Sequence, residues 1–276
     1  MAKSSASDFV LRPFEGLPGE PDWVAFREIV PAATATARTV KEHGGRDVVV
    51  VTMLPGGYAA MNRPDGTVLL AVQGALSSGD LSRDLAGALL EALDAEPGTA
   101  IVAKPSEGPR LQDVLDPTVP FEVTIQDDYE FWADATAERT AEIDAALEEA
   151  ADSTIPTRRL TSVEHAYWCR MNKEFLRWAR TEDEDALVDA LARLHAKRES
   201  ALKLDDGEGR FLGMFRAAGL VVPVWELPAG TEAADVETPA AQLDARLAAA
   251  LKITAPLDAN ERRARAGIVS RQVTLR

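Results

Sequence analysis

A run of seven mainly apolar residues, Val48–Leu54, limits the possible folds more than any other part of the sequence. Apolar, β-branched residues in an almost unbroken row are typical of a central strand that is buried on both faces. Thr67–Val72 is a second run of this kind, and Arg63–Gly66 before it has the proline and glycine of a turn. We therefore predict that the two runs are antiparallel neighbours in one sheet.

Further elements are indicated on both sides of these runs. Strand-like patterns occupy Thr34–Val40, Ile101–Ala103, Phe121–Gln126, Phe211–Phe215, Leu220–Leu227 and Ile268–Leu275. Helical spacing and end signals mark Leu81–Ala95, Ala240–Leu251 and residues 258–266. The sequence therefore predicts an α+β fold, with a mixed or antiparallel sheet and packed helices.

The central region of the chain changes to helical spacing. An apolar stripe begins near Phe131 and is broken by Pro156. A second helical region, residues 162–202 with a break at 181–185, predicts a helical hairpin. We expect two domains with a boundary near Pro156: an N-terminal α+β domain, residues 1–155, and residues 156–276, which combine the helical hairpin with a small C-terminal α+β part.

Overall composition excludes several classes of protein. The 276 residues are 46% hydrophobic and 27% charged, with one cysteine, Cys169, and this excludes a collagen, a disulfide scaffold and a mostly disordered chain. No apolar run reaches the length of about 18 residues that a transmembrane helix needs, and residues 1–8 lack the apolar stretch of a signal peptide. We expect a cytoplasmic protein with no membrane association.

Charge is unevenly distributed along the chain. The formal net charge is −15, which disfavours nucleic acid and anionic membranes unless a local basic patch provides the contact. Residues 111–155 hold thirteen acids and one base, whereas residues 261–276 hold five arginines and one acid. The basic tail, with Arg262, Arg263 and Arg265, could bind RNA or an acidic surface. It could also pair with the acidic segment of the same chain, an interpretation that explains both features and is preferred.

Three acids just beyond a predicted strand are candidate metal ligands. Asp127, Asp128 and Glu130 could supply the carboxylate oxygens that hard cations such as Mg²⁺ prefer. Acids in this position also cap the following helix and interact favourably with its positive end. Capping is the favoured interpretation.

His165 and Cys169 are a second candidate pair. Four residues apart on the predicted helix, they would share one face and could bind a metal or place a base beside a thiol. No third ligand is marked by spacing, so a buried cysteine and a hydrogen-bonded histidine are favoured. No phosphate-binding glycine motif and no nucleophile elbow are present. We expect no bound cofactor and assign no catalytic residue.

Aromatic residues mark one face of the same predicted helix. Trp168, Met171, Phe175 and Trp178 follow each other at spacings of three, four and three, as in a heptad stripe. Packing against a neighbouring helix is the favoured interpretation. The alternative is a partner groove that includes Trp168 and Trp178.

Six segments of the chain resemble a known family. They are Arg12–Glu20, Asp22–Ala25, Arg27–Thr36, Gly219–Trp225, Glu261–Gly267 and Arg271–Arg276. Together they are similar to an uncharacterised protein family of high-GC Gram-positive bacteria. Longer members begin with a SEC-C zinc motif, a module found on proteins that contact ribosomes or the export machinery. With its single cysteine this chain lacks those ligands, so no zinc contact and no site residue are carried over.

These observations favour a non-catalytic binding or adaptor protein with a protein partner. Translation or protein export is the process that the resemblance suggests. The alternative is an enzyme with a metal-assisted hydrolytic site at Asp127, Asp128 and Glu130 or at His165. A structural subunit of a homo-oligomer is a third possibility that the apolar content permits.

Overall fold

The chain adopts the expected α+β class of fold. A computed structural model describes residues 9–74, 79–134, 139–151, 154–271 and 273–274. The chain divides into two compact units, residues 1–154 and residues 155–276. No helix in the described ranges is both long and apolar enough to cross a membrane.

The first unit combines helices with a six-stranded sheet. Its helices are α1 (Glu20–Glu28), α2 (Leu81–Asp94), α3 (Leu111–Val114) and α4 (Ala141–Ala151). Its strands are β1 (Ala33–Arg38), β2 (Asp47–Val51), β3 (Ala60–Asn62), β4 (Val68–Ala71), β5 (Thr99–Ile101) and β6 (Val123–Ile125). The order across the sheet is β5-β3-β4-β2-β1-β6.

The two apolar runs are neighbours in this sheet, but the predicted antiparallel orientation is wrong. Strands β2 and β4 are parallel, with Val48 opposite Val68. The reason is the short strand β3, which lies between them in sequence and forms the antiparallel hairpin with β4. The Arg63–Gly66 turn closes that hairpin, with Gly66 at φ 81° and its N–H donating to the Arg63 carbonyl.

Helix α2 and an aromatic cluster cover parts of this sheet. The Asp80 side chain accepts from the Arg83 N–H and caps α2. The ring of Trp23 on α1 stacks on Phe121 with centroids 4.5 Å apart, and on Phe14 at 5.6 Å. The proline- and glycine-rich entry segment is therefore held in the core by its aromatic residues.

The helical stripe predicted from Phe131 is confirmed only in its last part. A single 3₁₀ turn, Glu130–Trp132, precedes α4, and residues 135–138 lie outside the described residues. The indole of Trp132 is buried and donates to the Met53 carbonyl at 2.9 Å. This bond anchors the acidic segment to the sheet of the first unit.

The second unit has a larger sheet, three helices and its own core. Its strands are β7 (Thr157–Arg159), β8 (Ala166–Arg170), β9 (Glu174–Trp178), β10 (Leu202–Leu204), β11 (Gly207–Ala217), β12 (Leu220–Glu226) and β13 (Val273–Thr274). Its helices are α5 (Glu184–Ala196), α6 (Ala233–Leu251) and α7 (Ala259–Val269). The order is β10-β11-β12-β9-β8-β7, all antiparallel, and β13 pairs with β11 in parallel.

The predicted helical hairpin of residues 162–202 is wrong in its first half. Strands β8 and β9 form a β-hairpin there, with Trp168 opposite Leu176, and only α5 is helical. Burial in β9 alternates residue by residue, which places Trp178 and Leu176 on the covered face. Of the predicted stripe, Trp168 and Trp178 are buried, whereas Met171 is 40% exposed between the strands and Phe175 lies on the other face of β9 from Trp178.

The core of the second unit lies between the sheet and the helices. Trp225 of β12 is fully buried, and its ring contacts Phe211 and Trp178 at centroid distances of 5.3 and 6.3 Å. Leu191 of α5 and Leu243 of α6 are buried in the same cluster. Helix α7 packs against α5 and contributes the buried side chain of Ile268.

Candidate partner-binding surface

The acids beyond β6 lie on the surface, and one of them makes a local backbone hydrogen bond. Asp127, Asp128 and Glu130 are all exposed, and the Asp128 carboxylate accepts from the Glu130 N–H at 3.0 Å. Glu130 itself pairs with Arg139. Within the ranges the structure describes, no three side chains of His, Cys, Asp and Glu are grouped as a metal would require. The Asp128 bond closes a turn before the 3₁₀ segment Glu130–Trp132, whose N-cap residue, Tyr129, makes no side-chain cap.

His165 and Cys169 do not share a helix face. His165 lies in the turn before β8 with φ 59°, and Cys169 lies within the strand. Four residues of extended chain separate their backbones by about 13 Å. The Nε2 of His165 is 3.8 Å from the Glu164 carboxylate. The two residues are therefore too far apart to act on one metal ion or one proton.

We predict that Cys169 is unreactive in the folded protein. Its thiol is 1% exposed, and burial raises its pKa, an effect that the nearby charge of Arg177 opposes only in part. Since the thiolate is the reactive species, alkylation by iodoacetamide at neutral pH should be at least about tenfold slower than in urea. Mass spectrometry of timed samples measures both rates. Equal rates in buffer and in urea would contradict the buried placement.

Both tryptophans proposed for a partner groove are inside the core. Trp168 and Trp178 are 3% and 2% exposed. The Trp168 indole donates to the Thr231 carbonyl and the Trp178 indole to the Glu164 carbonyl. Neither ring offers a surface to a partner, so the aromatic residues stabilise the unit.

One of the three tail arginines has its charge neutralised within the second unit. The Arg265 guanidinium on α7 donates to Asp189 at 2.7 Å and to Asp185 at 2.6 Å. Both acids belong to α5, and not to the acidic segment 111–155 that the sequence suggested. Arg265 therefore ties α7 to α5, and it is not available to a partner.

The other two tail arginines are exposed. Arg262 donates to the Leu257 carbonyl, and Arg263 to the Asn260 side chain at 3.3 Å. No carboxylate among the described residues pairs with either of them or with Arg271, which follows α7. The helix starts at an Asp258 cap, and Glu261 returns a hydrogen bond to the Asp258 N–H. Glu261, the acid nearest to these arginines in sequence, therefore accepts a backbone hydrogen bond and pairs with neither of them.

An open cleft of about 380 Å³ lies beside these arginines. Its walls come from the last turn of α5 and one face of α7, and it is lined by His195, Ala196, Asn260, Arg263, Ala264, Gly267 and Arg271. Arg271 Nε donates to the Gly267 carbonyl at 3.0 Å. The lining thus includes two arginines, Arg263 and Arg271, and three small residues, Ala196, Ala264 and Gly267.

His195 gives this cleft a neutral ring. Its Nδ1 lies 3.0 Å from the Oγ of Ser200, which is 5% exposed. Burial lowers the pKa of His195, and the charge of Arg271 lowers it further. The imidazole is therefore uncharged at pH 7, and the positive charge of the cleft comes from its arginines.

The residues that α7 contributes to this surface could be predicted from the sequence, whereas the residue that α5 contributes could not. Residues 260, 263, 264 and 267 recur at helical spacing, which places them on one face of α7, and Arg271 follows the helix at the same spacing. His195 carries no comparable signal, because it reaches the cleft only through the packing of α5 against α7.

Charge in the chain follows the division into two units. Residues 155–276 contain 19 Lys and Arg against 18 Asp and Glu, whereas residues 1–154 contain 11 against 27. The strong net acidity therefore belongs to the first unit. The surface of α7 belongs to a unit that is close to neutral.

One comparison with known proteins gave a match. A family model described as a family of unknown function (DUF5926) matches residues 13–276. The search of curated proteins and the search of solved structures each found no match.

Proposed function

The chain belongs to DUF5926, a family of unknown function, and we propose from its geometry that it is a non-catalytic binding protein. Its contact surface is the basic face of α7, defined as Arg262, Arg263 and Arg271. Its partner is an acidic segment of another protein. A cytoplasmic location and a link to translation or protein export are part of this proposal and rest on the sequence alone.

The observation that carries the proposal is the set of arginines without carboxylate partners. Acids outnumber bases by 45 to 30 in the chain, so an exposed guanidinium has many internal acids available. Arg265 takes two of them, whereas the described residues offer none to Arg262, Arg263 or Arg271. Closely spaced like charges repel each other, and an acidic partner would relieve that repulsion.

The charge of the whole chain favours a protein partner over a nucleic acid. A nucleic acid carries phosphates along its full length, and a net charge of −15 repels them. A short acidic segment needs only the basic face of α7. The enzyme alternative is not proposed, because among the described residues neither Asp127, Asp128 and Glu130 nor His165 and Cys169 belong to a group of three side chains that could hold a metal ion.

The double substitution of Arg262→Gln with Arg263→Gln tests this proposal. We expect affinity for a fluorescein-labelled poly-L-glutamate peptide to fall about tenfold at low salt, because two exposed charge contacts are lost. Both side chains are exposed and make no ion pair with a described residue, so the fold should be unchanged. Fluorescence anisotropy measures the affinity, and circular dichroism checks the fold.

A matched control removes the same charge elsewhere in the second unit. Lys203 and Arg210 are exposed on the β10–β11 hairpin, and Lys203→Gln with Arg210→Gln should change the affinity less than about twofold. Equal losses in the two double variants would mean that binding follows net charge, and this result would contradict a specific α7 surface. Absence of saturable binding by the unsubstituted chain would also contradict it.

A further inference from the structure

We propose that the cleft between α5 and α7 receives a phosphate group carried by a side chain of the acidic partner. This proposal rests on the proposed function and adds a phosphorylated residue to the partner. It assigns Arg263 and Arg271 as the two cationic contacts of the phosphate and His195 as a hydrogen-bond donor.

The two arginines suit a phosphate better than a carboxylate. Each guanidinium can direct a pair of N–H groups at one anion, so two of them suit an anion with more charge and more oxygens than the one charge and two oxygens of a carboxylate. A phosphate monoester presents three. Arg271 uses its Nε on the Gly267 carbonyl, which leaves both terminal nitrogens for a ligand.

His195 is oriented for a role in the same contact. Nδ1 of His195 lies 3.0 Å from the Ser200 hydroxyl. In the tautomer in which that hydroxyl donates to Nδ1, the ring proton resides on Nε2 and can be donated to a ligand. The His195 ring also makes an edge contact with the Phe211 ring, with the two centroids 6.2 Å apart. A neutral ring adds a donor without adding to the repulsion between the two guanidinium groups.

The openness of the cleft indicates that the phosphate belongs to a larger molecule. Sites for free small molecules enclose most of the surface of their ligand. This cleft is open to solvent and is lined in part by small residues, so it would cover only one group. The rest of the partner would lie outside, close to the exposed Arg262.

Gly267 allows the cleft to be blocked without altering its charges. A Cβ at this position would meet no atom within 4 Å, and the residue is part of α7. Methionine is a good helix former, so Gly267→Met should fold and fill the space. Gly267→Ala is the matched control, because it makes the same backbone change and leaves the cleft open.

The test compares two peptides of identical sequence, in which one serine between glutamates is phosphorylated in one peptide and unmodified in the other. Anisotropy titrations with the full chain should give at least about tenfold tighter binding for the phosphorylated peptide. Gly267→Met and Arg271→Gln should each abolish this preference. Gly267→Ala and Arg262→Gln should retain it, although Arg262→Gln weakens both peptides. Thermal unfolding confirms that each variant is folded.

Three results would overturn the phosphate proposal. The two peptides could bind equally well, which would leave the acidic-partner proposal intact. The preference could persist in folded Gly267→Met, which would place the phosphate elsewhere. Phenyl phosphate could bind saturably in the cleft while the phosphopeptide shows no preference, which would make the ligand a free small phosphate. Failure of both peptides to bind would count against the proposed function itself.

Discussion

Replacing Trp225 by alanine is expected to lower the free energy of unfolding of the second unit by about 3–5 kcal/mol. The indole is fully buried between Trp178 and Phe211, and neighbouring side chains can fill only part of the cavity. Guanidinium titration of the full chain, followed by far-ultraviolet circular dichroism, measures the loss. Hydrogen exchange assigns it to residues 155–276. A loss under about 1 kcal/mol would contradict this placement of the ring.

Trp225→Phe separates packing from hydrogen bonding at the same position. Phenylalanine retains much of the ring but cannot donate to the Ser200 carbonyl, which the indole N–H reaches at 2.8 Å. We expect a smaller loss, about 1–3 kcal/mol, because a buried carbonyl loses its partner. Since Ser200 also contacts His195, this variant links the core to the cleft.

Replacing Arg180 by glutamine is expected to lower the free energy of unfolding by about 2 kcal/mol at pH 7. The side chain of Arg180 is 11% exposed, lies over the Trp178 ring at 4.6 Å, and pairs with Glu182 and Asp244. Breaking a fully buried pair costs about 3–5 kcal/mol, and the partial exposure of both acids reduces the loss here. Equal stability of the variant and the unsubstituted chain would contradict this network.

Acidification should reduce the difference in the free energy of unfolding between Arg180→Gln and the unsubstituted chain. Burial raises the pKa of Glu182, but the hydrogen bond and charge of Arg180 outweigh it, so the pKa lies below its usual value. A carboxyl with a lowered folded pKa stabilises the fold above its unfolded pKa of about 4.3, and that contribution is lost as pH falls further. In Arg180→Gln only the backbone hydrogen bonds of Thr181 and Glu182 still oppose burial, so the contribution is smaller. Denaturant titrations of both proteins at pH 7 and pH 4 measure their free energies of unfolding. An equal difference between the two proteins at both pH values would contradict the pairing of Arg180 with Glu182.

The positions of the strands could be predicted from the sequence more reliably than the pairing between them. The apolar run at Val48–Leu54 marks β2, because burial on both faces leaves a local signal. Its parallel pairing with β4 depends on β3, which has three residues and is too short to show a period. In β9 the alternation of burial is hidden in the sequence, because the buried Glu174 is charged and the half-buried Phe175 is apolar, and the aromatic spacing of residues 168–178 imitates a helix.

Only the arginines of the candidate site could be predicted from the sequence. Arg262, Arg263 and Arg265 are visible as a basic helix, yet only the packing of α7 on α5 shows that Arg265 is neutralised and the other two are not. His195 joins this surface from a distant part of the chain. Contacts between elements far apart in sequence leave no trace in the local pattern of either element.

Affinity capture with the tagged chain tests the central claim most directly, because it uses the partner itself. Lysate of the source cells would be applied to the unsubstituted chain, the Arg262/Arg263 double variant and the Lys203/Arg210 control, at about 50 mM and about 500 mM salt. We expect proteins with acidic segments to be retained at low salt by the unsubstituted chain and the control, and to be lost at high salt or from the double variant. The same proteins in the same amounts on the double variant would contradict binding through α7.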